Sequence, residues 1–272
     1  MLRVVDIGLK VLNTESGADT KQRIVAIGGG ETMAETTPIN VEIVRLSDKP
    51  NPKLLFIPTA SGDSRSYYQS VSEHFLSLGC ESVEPLYLLD DDMTAEQARD
   101  AVLQCDVVYV GGGNTLRMMN IWLRYNLPEV FDEARQRGIV LSGLSAGSIC
   151  WFRYGNSDAH KFTSGSNKLI KVSGLGYIEA LHCPHYDIEV HRQADLERMM
   201  RQTPRLVAVA LDNGVAIEVV DEQYRIITNG GGGKARRAYW YRGAYVLEEI
   251  PADDAWRPLR PFFSKSHRLA RA

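Results

Sequence analysis

Residues 139–150 read Ile-Val-Leu-Ser-Gly-Leu-Ser-Ala-Gly-Ser-Ile-Cys, and their centre, Gly143-Leu144-Ser145-Ala146-Gly147, is a Gly-x-Ser-x-Gly pattern. An apolar, strand-like run precedes it and a helix-compatible stretch follows. In that context the serine stands at the tip of a tight strand-to-helix turn, which is what a nucleophile elbow requires. The flanking glycines allow close backbone packing, and the strained turn pushes Oγ into solvent. The N–H of Ala146 and the positive end of the following helix then face a developing oxyanion. The chemistry so served is acyl transfer by a serine. The plainer reading is a turn with Ser145 as a helix cap. The strand–turn–helix context favours the nucleophile.

A serine nucleophile needs a base. The histidines are His74, His160, His182, His185, His191 and His267. His74 falls on a helical stretch and His267 in the terminal segment. His182 and His185 lie in Ala180-Leu-His-Cys-Pro-His-Tyr-Asp187. Loops at strand ends hold catalytic groups, whereas strand interiors hold core. His185, after Pro184, is therefore the expected base, and His182 an expected core residue. A second glycine cluster, Val110-Gly-Gly-Gly-Asn-Thr115, also ends an apolar run. Neither Gly-x-Gly-x-x-Gly nor a Walker lysine follows, which disfavours phosphate binding. The N–H of Gly112 or Gly113 is the expected second oxyanion donor. Gly28–Gly30 form another rim of the same cleft, and Gly230–Gly233 a hairpin connection.

These residues need a scaffold. Arg23–Ile27, Lys53–Ile57, Ser82–Leu88, Val107–Val110 and Ile139–Ser142 read as buried strands. Ile39–Leu46, Ser66–Leu78, a segment capped by Thr94 and Gln97, Thr115–Tyr125 and Pro128–Arg137 read as helices between them. Such alternation predicts an α/β fold, a doubly wound, mostly parallel sheet with helices on both faces. Val207–Leu211, Val215–Val220, Tyr224–Thr228 and Ala238–Leu247 predict an antiparallel hairpin extension at one edge of that sheet. The expected organisation is an N-terminal extension over 1–22, one domain over 23–250 and a basic tail over 251–272, solvated at the terminus.

Composition excludes several classes. The chain has 272 residues, 44% hydrophobic and 24% charged, with net charge −3. That is neither the low hydrophobicity and high charge of disorder nor the basic excess of a nucleic-acid binder. No apolar run reaches the roughly 18 residues of a membrane span. Asp6 and Lys10 interrupt the N-terminal apolar stretch, unlike a secretory leader. Cys80, Cys105, Cys150 and Cys183 lie far apart in apolar settings, as reduced, packed thiols do. A cytoplasmic protein is expected. No metal motif is present, and neither metal nor cofactor is expected.

Gly143-Leu-Ser-Ala-Gly-Ser148, the earlier Gly111-Gly-Gly-Asn-Thr115, the later Pro184-His-Tyr186 and Ile57-Pro-Thr-Ala-Ser61 resemble, in order and spacing, the serine peptidases related to aspartyl dipeptidase (peptidase E) and cyanophycinase. The resemblance spans roughly residues 23–230 and implies a class I glutamine amidotransferase-like fold. It implies Ser145 as nucleophile, His185 as general base, and Gly112 or Gly113 with Ala146 as the oxyanion hole. Asn114 and Arg192 become substrate contacts, Arg192 matching an arginine that meets the carboxylate of an N-terminal aspartate. The shorter loop around it puts strict aspartate preference in doubt, and a surface arginine is the competing reading. The acid is open. Asp158 matches the peptidase E position across a small gap. The cyanophycinase glutamate would fall at Asn213, a departure, and Asp212 substitutes if the register shifts by one. Asp158 is placed ahead of Asp212. The implied activity is a serine dipeptidase acting on small peptides. The alternatives are a cyanophycinase-like β-aspartyl peptidase and a non-catalytic binding protein. No nucleic acid or membrane partner is expected, and a homodimer is the family-level expectation.

Overall fold

A computed structural model describes residues 22–265 except Asp91, Asn167 and Glu189. The polar stretch 12–21 and the tail end with His267, Arg268 and Arg271 lie outside the described residues.

Within these residues the strands are β1 (Arg23–Ile27), β2 (Lys53–Ile57), β3 (Ser82–Pro85), β4 (Val107–Val110), β5 (Val140–Leu144), β6 (Phe152–Ser157), β7 (Ile170–Ser173), β8 (Ile178–Cys183), β9 (Ala208–Leu211), β10 (Val215–Val220), β11 (Gln223–Thr228), β12 (Ala235–Tyr241), β13 (Ala244–Ile250) and β14 (Arg257–Pro258). The helices are α1 (Thr37–Leu46), α2 (Arg65–Ser77), α3 (Ala95–Gln104), α4 (Thr115–Arg124), α5 (Leu127–Gln136), α6 (Ala146–Ile149), α7 (Ala159–Ser164), α8 (Val190–Gln202) and α9 (Leu259–Phe262). Local chemistry sets several boundaries. Thr94 and Gln97 form the reciprocal capping box that opens α3. Asn114 opens α4, its Oδ1 accepting from Arg117 N at 2.9 Å.

Two sheets form. The larger has the order β14-β11-β10-β1-β5-β4-β2-β3, with β3, β2, β4, β5 and β1 parallel and β10, β11 and β14 antiparallel. The smaller has the order β13-β12-β9-β8-β6-β7. Along β1, Ile24 and Ala26 enter one core while Val25 and Ile27 enter the other. Period-two alternation with both faces apolar is what a doubly covered strand needs. α1 and α2 close one face. On the other, α4, α5 and strands of the second sheet share a single core through Trp122, Phe131 and Trp151. α8 covers the far side of the second sheet through Leu196, Met199 and Met200.

Three expectations change. Of the strands expected to extend it, β10 and β11 join the first sheet, whereas β9, β12 and β13 build the second. The run Ala238–Leu247 is two strands, because Arg242 (φ 49°) and Gly243 (φ 82°) make a two-residue turn with both central residues left-handed. The tail is not a free terminus through residue 265. β14 pairs with β11, and Leu259 and Phe262 are buried in the core.

Candidate active site

The parallel strands β1, β2, β4 and β5 end on one rim of the sheet, at Gly28, Pro58, Gly111 and Ser145. In open α/β sheets that rim is where ligands bind. The end of β1 ties the site together. Three successive carbonyls, Ile27, Gly28 and Gly29, accept from the N–H groups of Ser145 (3.1 Å), His185 (3.1 Å) and Gly214 (2.9 Å). One backbone strip thus sets the height of three chain segments far apart in sequence.

Ser145 has φ 56° and ψ −111°, the strained tip between β5 and α6. The flanking glycines are required here. A Cβ on Gly147 would overlap the Val110 carbonyl, and one on Gly143 the Gly147 carbonyl. Ala146 begins α6, so its N–H has no carbonyl within the helix. Gly112 stands against the elbow, since a Cβ built on it would lie 3.5 Å from Ser145 Cβ. Gly113 turns toward the Ala60 backbone instead. Of the two glycines it is Gly112 that borders the nucleophile.

His185 also has a left-handed backbone, φ 51°. Its Nε2 lies 2.8 Å from Ser145 Oγ and its Nδ1 lies 2.7 Å from Asn213 Oδ1. With the amide oxygen facing it, Nδ1 carries the proton and Nε2 is left as the acceptor for the Ser145 hydroxyl. Asn213 is itself held by Asp187, whose Oδ1 accepts from Asn213 N at 3.1 Å. Gly29 completes the fit, because a Cβ there would overlap both Asn213 Oδ1 and His185 Nδ1.

The acid expected from sequence is corrected at this point. Neither Asp158 nor Asp212 is the acceptor of His185 Nδ1; that place is held by Asn213. Asp212 adjoins it, but β9 ends at Leu211 and the chain turns at Asn213-Gly214, so the two side chains face different partners. The Asp212 carboxylate turns instead to Arg236 Nη1 (2.6 Å) and Lys234 N (2.9 Å) and is 4% exposed. Asp158 opens α7, where its carbonyl accepts from Lys161 N. The register of Asn213 in the sequence was the signal for its role, but the residue type concealed it.

Other expected site residues fall as follows. Asn114 is 4% exposed, and its amide is engaged as the α4 cap and, at 3.3 Å, on the Ala159 carbonyl. Arg192 is no surface arginine. It is 1% exposed, and its Nη1 donates to the Asn156 carbonyl at 2.8 Å. His182 is fully buried, stacked on Phe152, with Nδ1 on the Val209 carbonyl and Nε2 2.8 Å from Ser148 Oγ. Burial, with smaller contributions from the Arg192 and His185 charges, pushes its pKa down to about 3. It stays neutral. Among the described residues no cluster of three or more His, Cys, Asp or Glu could hold a metal ion. The four described cysteines form no disulfide among the described residues, and burial pushes the Cys80 thiol up to about 11 and Cys105 to about 12. No described helix is long and apolar enough to cross a membrane.

Known proteins resemble this chain in sequence and in fold. The chain is 31% identical over 233 residues to the uncharacterized peptidase YgaJ of Bacillus subtilis (strain 168), covering 85% of this chain and 96% of that one. It is 25% identical over 191 residues to Peptidase E of Nostoc sp. (strain PCC 7120), covering 65% and 73%. Among solved structures, a peptidase from an acI-B1 Actinobacterium superposes with a TM-score of 0.65 at 17% identity, covering 88% of this chain and 98% of that one. A putative Peptidase E from Listeria monocytogenes EGD-e gives 0.58 at 18%, covering 76% and 98%. The doubly wound fold is therefore shared at low identity. Residues 24–227 match the profile of peptidase family S51. The chain belongs to peptidase family S51 and is a serine peptidase.

Proposed function

We propose that the chain is an exopeptidase that releases residues from small peptides through a Ser145–His185–Asn213 triad. The observation that carries this reading is the continuous line of hydrogen bonds from Asn213 Oδ1 through the imidazole to Ser145 Oγ. Ser145 Oγ attacks the peptide carbonyl while His185 Nε2 takes its proton. The N–H groups of Gly112 and Ala146 receive the oxyanion. His185 returns the proton to the leaving amine, the C–N bond breaks, and water later releases the acyl group by the same route. Asn213 orients the imidazole and holds its tautomer, as the asparagine of Cys-His-Asn peptidases does. An amide carries no charge, so it gives the imidazolium less support than a carboxylate.

Small peptides as substrates are supported by the similarity to Peptidase E of Nostoc. An N-terminal aspartate is the finer proposal, resting on the resemblance to aspartyl dipeptidase. Arg192 is buried between β6 and α8 with Nη1 on the Asn156 carbonyl, so it braces that packing and is not the group that would meet the carboxylate. The test is hydrolysis of Asp-Leu, Ala-Leu and β-Asp-Leu by wild type and Ser145→Ala. Cleavage of Asp-Leu that Ser145→Ala abolishes is expected. Cleavage of β-Asp-Leu alone would move the substrate class to β-aspartyl links, and activity surviving in Ser145→Ala would overturn the triad.

A further inference from the structure

The proposed oxyanion hole already has an occupant. The Oγ of Ser64 caps α2 by accepting from Tyr67 N at 3.3 Å, which fixes Tyr67 in the first turn. From there the Tyr67 ring reaches over the glycine turn. It meets Phe56 edge-on with centroids 5.1 Å apart. It also lies on Gly111, where a Cβ would come within 2.8 Å of ring Cε1. The phenol oxygen accepts from Gly112 N–H at 3.4 Å. That N–H belongs to Gly112, the glycine whose Cα side packs against Ser145, a Cβ there lying 3.5 Å from Ser145 Cβ. The contact is long, so little is lost in breaking it.

A phenol that accepts one hydrogen bond still has its own O–H to donate. Among the described residues no group accepts that proton from Tyr67. Burial raises the Tyr67 pKa above its ordinary value, so the proton is present at neutral pH.

Resting on the serine-peptidase reading of Ser145, we propose that Tyr67 is a catalytic residue, the third donor to the tetrahedral oxyanion. As the substrate carbonyl enters, the phenol oxygen gives up Gly112 N–H to it. When Ser145 Oγ bonds to the carbonyl carbon, the C=O π pair moves onto oxygen and the Oγ proton passes to His185 Nε2. Tyr67 then donates its O–H as a hydrogen bond to that oxygen without losing the proton. On collapse the pair returns to the carbonyl, the amine leaves with the His185 proton, and Tyr67 again accepts from Gly112.

Tyr67→Phe tests this, because it keeps the ring against Gly111 and Phe56 and removes only the hydroxyl. On a dipeptide that wild type cleaves, kcat is expected to fall roughly 10²-fold, the usual scale for one oxyanion donor, with KM within about threefold. A peptide boronate, which mimics the tetrahedral state, should weaken by a similar factor, while product inhibition stays unchanged. Wild-type kcat and boronate affinity in Tyr67→Phe would overturn the proposal while leaving the triad intact. If Tyr67→Phe does not fold, 3,5-difluorotyrosine at position 67 keeps the shape and lowers the phenol pKa. Activity should then fall as pH rises through the new ionisation, since a phenolate cannot donate, and a flat profile would overturn it. If no dipeptide is cleaved, the rate of Ser145 labelling by a fluorophosphonate replaces kcat. Equal labelling of wild type and Tyr67→Phe refutes the Tyr67 role, and an unlabelled wild-type Ser145 refutes the underlying reading as well.

Discussion

Two Ser–His pairs lie three residues apart in this protein, and their hydrogen bonds are equally short. Ser145 Oγ to His185 Nε2 and Ser148 Oγ to His182 Nε2 are both 2.8 Å. What differs is everything around them. Ser145 is at a strained turn on the strand rim, while Ser148 lies inside α6 and is fully buried. His185 is half-buried and turns its second nitrogen to a side chain, Asn213. His182 is sealed between the sheets and turns its second nitrogen to a backbone carbonyl, Val209. A base must charge and discharge during turnover, and His182, with its pKa near 3, cannot do so at neutral pH. Ser148 Oγ also lies 2.7 Å from the Ser145 carbonyl, and its single proton serves either that carbonyl or His182 Nε2. The inner pair therefore braces the elbow on which the outer pair works. A serine–histidine hydrogen bond alone does not mark a catalytic site; access and the orienting group do.

Substitutions can break this contrast. His185→Ala is expected to lower kcat/KM by roughly 10⁶-fold, the scale of losing the triad base. Ser148→Ala should change kcat/KM by less than about tenfold. It should instead lower stability by about 1–3 kcal/mol, because it leaves the buried His182 Nε2 without its partner. Steady-state kinetics beside urea unfolding separates the two, and a dead but stable Ser148→Ala would mean the inner pair takes part in chemistry.

Asn213→Asp sharpens the contrast further. A carboxylate against Nδ1 favours the imidazolium, so the His185 pKa rises and the acid limb of kcat/KM against pH moves up by about one unit or more. An unmoved limb would mean that Asn213 does not face the working imidazole. The smallest effect concerns His182 and stability. Its folded pKa, about 3, lies below the ordinary 6.5. The unfolded chain therefore binds this proton first as pH falls. The neutral histidine's contribution is full above pH 6.5 and is lost progressively between 6.5 and 3. His182→Gln should flatten that part of the stability curve, as read by thermal unfolding across pH.

The parallel half of the fold was legible residue by residue. Val25–Ile27, Leu54–Ile57 and Val107–Val110 are short apolar runs stopped by Gly or Pro, and Thr94 and Gln97 announce a helix start. Their signals are local, which is why β1, β2, β4 and α3 fall where the residues predict. The second sheet was not legible. β6, Phe-Arg-Tyr-Gly-Asn-Ser, lacks a clear alternation and sits between two partners outside it in sequence, β7 and β8. The hairpins β9–β13 read as strands, but which sheet they join is a matter of packing.

The same division runs through the site. Sequence alone determined the elbow, since Gly-x-Ser-x-Gly after an apolar strand sets a backbone geometry that five adjacent residues supply themselves. It also determined His185 over His182, because a strand end differs from a strand interior. Tertiary structure decided the third member. Asp158, Asp212 and Asn213 are all within plausible reach on paper, and only the strip of carbonyls at the end of β1, which holds Ser145, His185 and Gly214 at one level, brings the Asn213 amide and not a carboxylate to Nδ1. Long-range hydrogen bonds orient that side chain, and no spacing within the chain encodes them.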